Sequence, residues 1–225
     1  MFAGHVGAAL AFGRADRSVN VGVFVVAAML LDFLLWTFVL LGWESVSLPA
    51  DYAQTRQPEF VFPYSHGLIA SLAWSAFAGA AFYYWYWRHD VANVRGATLV
   101  AAAVVSHWIL DALVHAPELP VAGAASMKIG LWLWRNIPLA LGVEALLVVA
   151  GLYLYLDGAR VSRPRKVALA VLTLLTLAFT VAGMTVAPPP PSDTAMAATS
   201  CITIILVCAV FLWLGRPAAD AVRDP

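Results

Sequence analysis

Charge is what this sequence has least of. Only 12% of its 225 residues are Asp, Glu, Lys or Arg, 62% are hydrophobic, and the mean hydropathy is +0.83. A soluble domain carries about 25% charged residues, so a soluble globular chain is excluded. The thirteen basic and thirteen acidic residues cancel to zero net charge, which gives a nucleic-acid partner no electrostatic support. Cysteine is nearly absent. Cys201 and Cys208 are the only two, and seven apart in an apolar run they read as small buried hydrophobes, not as a disulfide or a metal pair. No basic segment opens the chain and no clear cleavage site precedes the first basic cluster, so a cleaved signal peptide is not expected. His-Glu-x-x-His and Gly-x-Ser-x-Gly are both missing, which argues against zincin proteases and against a serine nucleophile elbow. No internal repeat is visible, which weakens a transporter reading.

What remains is apolar length. Six segments of membrane-spanning size can be drawn, at 19–43, 64–87, 96–115, 130–156, 166–187 and 197–214. Residues 2–12 form a further apolar segment too short to cross a bilayer alone. The expected fold is therefore all-α: a polytopic transmembrane helix bundle of about six spans plus an N-terminal half-helix. It forms one membrane domain, with residues 1–120 as the half that carries the polar groups and 121–225 as supporting transmembrane helices. With the Arg14–Arg17 loop placed in the cytoplasm, only Arg56, Lys128 and Arg135 fall outside, and the other ten basic residues fall inside. That asymmetry predicts a multi-pass protein with its N- and C-terminal basic loops cytoplasmic. Trp36, Trp43, Trp74, Trp85, Trp87, Trp132, Trp134 and Trp213 lie mostly toward span ends, as an aromatic belt requires. Residues 187–193 form a stiff polyproline linker. The polar stretch 44–63 reads as a connector, with a lid as the alternative. His89 reads as a solvated loop residue.

The informative residues are ionisable ones inside apolar segments: His5, Asp32, His66, His107, Asp111, His115 and Glu144. A carboxylate at bilayer depth costs about 2.5–3.5 kcal/mol on insertion scales, so such a residue faces a partner or a wet cavity. His107, Asp111 and His115 recur every four residues and share one helix face. Counting residues from the span ends places His5, Asp32, His66, His107 and Asp111 between the midplane and the outer leaflet. His and Asp ligands suit a divalent metal, Zn²⁺ first, with Fe²⁺ or Mn²⁺ as alternatives. The adjacent carboxylates favour such an ion over haem. The competing reading of each residue is a hydrogen-bonded packing contact between helices. His115 and Glu144 are candidates for managing protons in catalysis, His115 beside Asp111 and Glu144 as a general base.

Four pieces carry a resemblance: Met1-Phe2-Ala3-Gly4-His5 before a small-residue helix, Leu31-Asp32, Tyr64-Ser65-His66-Gly67-Leu68, and Ser106-His107-Trp108-Ile109-Leu110-Asp111. In this order the chain resembles bacterial inner-membrane proteins described as metal-dependent hydrolases, typified by a LexA-regulated membrane hydrolase. The resemblance covers about the first half of the chain. It implies a ligand plan similar to that of zinc-dependent phospholipase C and P1-type nucleases, with His5, Asp32, His66, His107 and Asp111 as metal ligands. It also implies a bacterial inner-membrane location and hydrolysis of a phosphoester or lipid-like substrate. Leu31 stands where the family has proline, Leu34 replaces a second acid, and Phe62 lies near the place of an upstream histidine. The reduced ligand set predicts one ion. The alternative in another class is a non-catalytic metal or proton site in a transporter or scaffold.

Overall fold

The computed structural model describes residues 1–87, 93–159 and 161–216. Arg88, His89, Arg160, Arg223 and the side chain of Trp87 lie outside the described residues. The order is α1 (Phe2–Ala15), α2 (Val21–Ala28) and α3 (Leu30–Leu40), a hairpin of β1 (Ser45–Ser47) and β2 (Glu59–Val61) with the one-turn α4 (Tyr52–Thr55) in its loop, then α5 (Leu68–Trp87) and α6 (Val94–Val114). A second hairpin, β3 (Leu119–Pro120) with β4 (Lys128–Ile129), and a 3-10 turn at Leu133–Arg135 lead into α7 (Ile137–Leu156), α8 (Arg163–Thr185) and α9 (Asp193–Leu214). Both hairpins are antiparallel, with Ser45 opposite Val61 and Leu119 opposite Ile129.

Among the described residues, α5 to α9 are each long and apolar enough to cross a bilayer, and α2 with α3, bent by 46°, adds a sixth span if the pair is counted as one. The fold is the all-α polytopic bundle expected. The short α1 is the half-helix, about 21 Å long at 1.5 Å per residue. It is not peripheral. Ala3, His5, Val6, Ala9 and Leu10 are fully buried, and the helix packs against α7, α2, α6 and α8. Glycine makes this possible. A Cβ on Gly7 would lie 2.5 Å from the Leu147 carbonyl oxygen, and one on Gly151 would overlap the Gly7 carbonyl. Without those carbons the two backbones approach closely, as small residues allow in membrane helix pairs. The α1–α7 crossing fixes the depth of His5.

Helix boundaries differ from the sequence expectation where side chains cap the chain. α7 begins at Ile137, not near 130, because Asn136 accepts the amide of Leu139 at 3.1 Å and Pro138 occupies the first turn. α9 begins at Asp193 because Ser192 accepts the amide of Ala195 at 3.1 Å. α5 begins at Leu68, not 64, because the amides of Tyr64 and Ser65 donate to Glu44 at 2.7 and 2.9 Å. The 44–63 stretch is more than a connector. Arg56 donates to the carbonyls of Ala187 and Thr185 at the end of α8, carbonyls that a helix end leaves without partners. Gln57 donates to the Trp134 carbonyl at 3.0 Å and accepts from the Trp132 indole at 2.8 Å. The hairpin is thereby strapped across one end of the bundle.

The glycine crossing sets a stability prediction. Gly7→Val should destabilise the protein by about 1–3 kcal/mol through overpacking, seen as a lower unfolding temperature in detergent. Gly142→Ala, whose Cβ meets nothing within 4 Å on α7, should be neutral or up to about 1 kcal/mol stabilising. Equal effects at both sites would contradict the close crossing.

Candidate metal centre

α6 places His107 and Asp111 one turn apart, both buried and both facing the bundle interior. Asp32 sits in the first turn of α3, where the helix N-terminus favours a carboxylate. His66 lies in the turn that precedes α5. These elements converge: one ligand atom from each of Asp32, His66, His107 and Asp111 lies within 4.8 Å of all the others. His66 Nε2 is 3.3 Å from Asp111 Oδ2 and 3.6 Å from Asp32 Oδ1. His107 Nε2 is 3.1 Å from Asp111 Oδ2 and 3.6 Å from Asp32 Oδ1. The two Nε2 atoms are 3.1 Å apart. This His₂Asp₂ cluster can hold a metal ion.

The hydrogen-bond network assigns the tautomers. His107 Nδ1 is 2.6 Å from the Ala28 carbonyl oxygen, and a carbonyl only accepts, so Nδ1 carries the proton. The Ser65 hydroxyl gives its hydrogen to Glu44 Oε2 at 2.6 Å, so its oxygen accepts from His66 Nδ1–H at 2.9 Å. A neutral ring held this way turns an Nε2 lone pair toward the centre, and a protonated one turns an N–H. The two Nε2 atoms then face each other at 3.1 Å between two carboxylates, a spacing that either a shared proton or a cation can occupy. A divalent cation would fit there, since two imidazoles with two carboxylates form a donor set that suits Zn²⁺ and also Fe²⁺ or Mn²⁺. The outer partners are of the kind that fix ligand orientation in metal sites: a backbone carbonyl for one histidine and a carboxylate-held hydroxyl for the other.

The Ala28 carbonyl is offered at the break between α2 and α3. No proline or glycine occupies Ala28, Met29 or Leu30. An imidazole meeting the carbonyl there is one of the recognised causes of a helix kink.

The other expected site residues surround the four. His5 Nε2 is 3.1 Å from Asp111 Oδ1, and its ring stacks on His107 with centroids 3.7 Å apart and planes within 9°. His5 Nδ1 is buried without a hydrogen-bond partner among the described residues. The Met1 amine lies 3.3 Å from Asp111 Oδ1. His115 Nε2 is 3.8 Å from Asp111 Oδ2, and its Nδ1 is held 2.6 Å from Glu118 Oε1. Glu144 accepts the Gly4 amide at 3.0 Å and borders the adjoining cavity. Sequence reasoning missed Glu44, Glu118 and the Ala28 carbonyl. Ser65 was visible only as part of a motif. Glu44 opens a polar loop and gives no sign that the fold buries it against two amides and a hydroxyl.

A cavity of about 290 Å³ adjoins the cluster. Asp32, His66, His115 and Glu144 border it, and of the four clustered residues only Asp32 is partly exposed. No protein family, curated protein or solved structure matches this chain.

The orienting network makes its own prediction. Ser65→Ala removes the acceptor of His66 Nδ1–H and should weaken metal binding about 10–100-fold, measured by competition with a fluorescent chelator. An unchanged affinity would show that Ser65 does not set the His66 tautomer.

Proposed function

We propose that this chain is a multi-pass membrane hydrolase that depends on one divalent metal and cleaves a phosphoester or similar bond in a lipid-like substrate. The observation that carries the reading is the convergence of the His66 and His107 Nε2 atoms, 3.1 Å apart, with Asp32 and Asp111, at the wall of a largely apolar cavity. Asp32, His66, His107 and Asp111 would hold the ion, with zinc the first choice and iron or manganese the alternatives. Such an ion, when bound, supplies Lewis acidity and makes water a usable nucleophile near neutral pH.

The chain's own residues do the rest. His5 presses flat against His107 and meets Asp111, so it fixes both ligands and stands as a fifth candidate. His115 is placed to carry a proton outward: its Nε2 faces Asp111, and Glu118 holds the opposite edge of the ring. Glu144, on the cavity wall, is the candidate general base, although its carboxylate is engaged by the Gly4 amide. The buried phenyl rings of Phe60 and Phe62 pack edge-on or tilted against His115, with centroids 5.6 and 5.8 Å away, and shield this side from water.

The location also belongs to this reading. Arg17, Arg95 and Arg165 donate to the carbonyls of Asp157, Ala15 and Arg216, which gathers basic residues at one end of the bundle. The positive-inside rule puts that end in the cytoplasm and the cluster in the outer half of a bacterial inner membrane.

Metal analysis and turnover test the proposal together. Purified protein should carry about one equivalent of zinc, iron or manganese, lost in His107→Ala and Asp111→Ala, and should release head groups from a phospholipid library only when metal is present. Bound metal without turnover on any phosphoester would overturn the enzyme and leave a transporter or scaffold site. Absence of metal after loading would overturn both.

A further inference from the structure

The cavity beside the cluster is asymmetric. Asp32, His66, His115 and Glu144 line it beside the cluster, and α8 and α9 line it with apolar residues such as Phe179, Met184 and Ile204 interspersed with the hydroxyls of Thr180, Thr199, Ser200 and Thr203. That wall is continuous with the outside of the bundle. Phe179 borders the cavity yet remains 59% exposed, and α8 and α9 meet each other only sparsely, each leaning instead on α7 or α3. A Cβ on Gly183 would meet nothing within 4 Å, so the gap at that level is open. The hairpin residues Tyr52, Arg56 and Phe60 cover the cavity, with Arg56 already committed to the end of α8. The sparse seam between α8 and α9, bordered by exposed apolar side chains such as Phe179, is the side left open to lipid, while the hairpin covers the cavity near the end of α8.

Trp134 adds a second observation. It borders the same cavity, and its indole Nε1 is buried with no hydrogen-bond partner among the described residues. A buried donor is seldom left without an acceptor. Its ring sits 4.2 Å from that of His115, beside the cluster, where an ester or phosphate oxygen of a bound molecule would lie.

We propose that this cavity takes one acyl chain of a phosphate-bearing membrane lipid, admitted sideways between α8 and α9, and that Trp134 donates its indole hydrogen to an oxygen near the lipid head group. The volume is close to the lower bound of about 300 Å³ for small-ligand pockets and nearly twice the roughly 150 Å³ apolar cavity that accepts benzene. It admits one chain, not two. Met184 and Met196 are flexible, polarizable side chains suited to a chain of variable length. Each further methylene buried should raise affinity about fourfold. As the tail of the hydrolysed molecule, this chain rests on the function proposed above; as a bound lipid it does not.

The test is photo-crosslinking of the full-length protein in detergent with a lysophosphatidylcholine that carries a diazirine in its chain, with bound metal measured on the same samples. Wild type should be labelled on α8 and α9 peptides. Gly183→Leu, which fills the gap without a backbone clash, should reduce labelling at least tenfold with metal content unchanged, and Thr203→Phe from the opposite wall should act alike. Val171→Leu, on the exposed outer face of α8, should leave labelling intact. Trp134→Phe, which removes the N–H alone, should weaken binding about fivefold, the worth of one hydrogen bond. Labelling spread over the outer helix faces and indifferent to Gly183→Leu and Thr203→Phe would overturn the proposal even if metal is bound. Labelling that obeys the variants in protein that binds no metal would support the lipid site while the metal-dependent function fails.

Discussion

Two imidazole nitrogens 3.1 Å apart, each within reach of two carboxylates, form the constraint on which the rest of the structure depends. Nothing in an apolar bundle favours such an arrangement by itself. Each carboxylate at bilayer depth is costly, and two together repel. The surrounding residues nonetheless hold the four groups in place: Ala28 and Ser65 fix the two rings, and His5 lies flat on His107. A half-satisfied polar network is worse than an apolar core, so a cation at the focus, beside the Met1 amine already 3.3 Å from Asp111, would make the arrangement favourable.

The supports come from distant parts of the chain, and each solves a local backbone problem at the same time. The α2–α3 break leaves a carbonyl to be satisfied, and His107 satisfies it. The turn before α5 exposes the amides of Tyr64 and Ser65, and Glu44 takes both while its other oxygen holds the Ser65 hydroxyl. Glu44 thus couples the strapped outer hairpin to the orientation of His66. Movement of the hairpin would be felt at the ligand through two hydrogen bonds. At the other side, the glycine contact of α1 with α7 brings His5 and the Gly4 amide to their partners Asp111 and Glu144.

Much of this was legible in the sequence. The spans followed from apolar length, and the five candidate ligands, four of which the fold gathers into one cluster, stood out because an acid or imidazole in a membrane segment has few other reasons to be there. Their convergence followed from depth along the helices, which counting residues gives directly. Glu44, Glu118 and the Ala28 carbonyl were not legible. Their roles arise from tertiary contacts between segments far apart in sequence, and a backbone carbonyl has no residue signature at all. The break at Met29 was hidden because no proline or glycine marks it. The cavity wall on α8 and α9 was equally invisible: lipid-facing and cavity-facing apolar residues look the same in one dimension. His5 and His115 fall between these cases, found by position but sited at the edge of the group.

Anomalous diffraction from crystals grown with zinc, recorded on both sides of its absorption edge, tests the central claim most directly. The account predicts one strong peak enclosed by Asp32 Oδ1, His66 Nε2, His107 Nε2 and Asp111 Oδ2, with zinc–nitrogen distances of about 2.0–2.1 Å. Crystals grown in saturating zinc with no peak there, in which His66 and His107 keep their present spacing, would mean that a shared proton bridges the two rings instead, and the metal centre would be refuted.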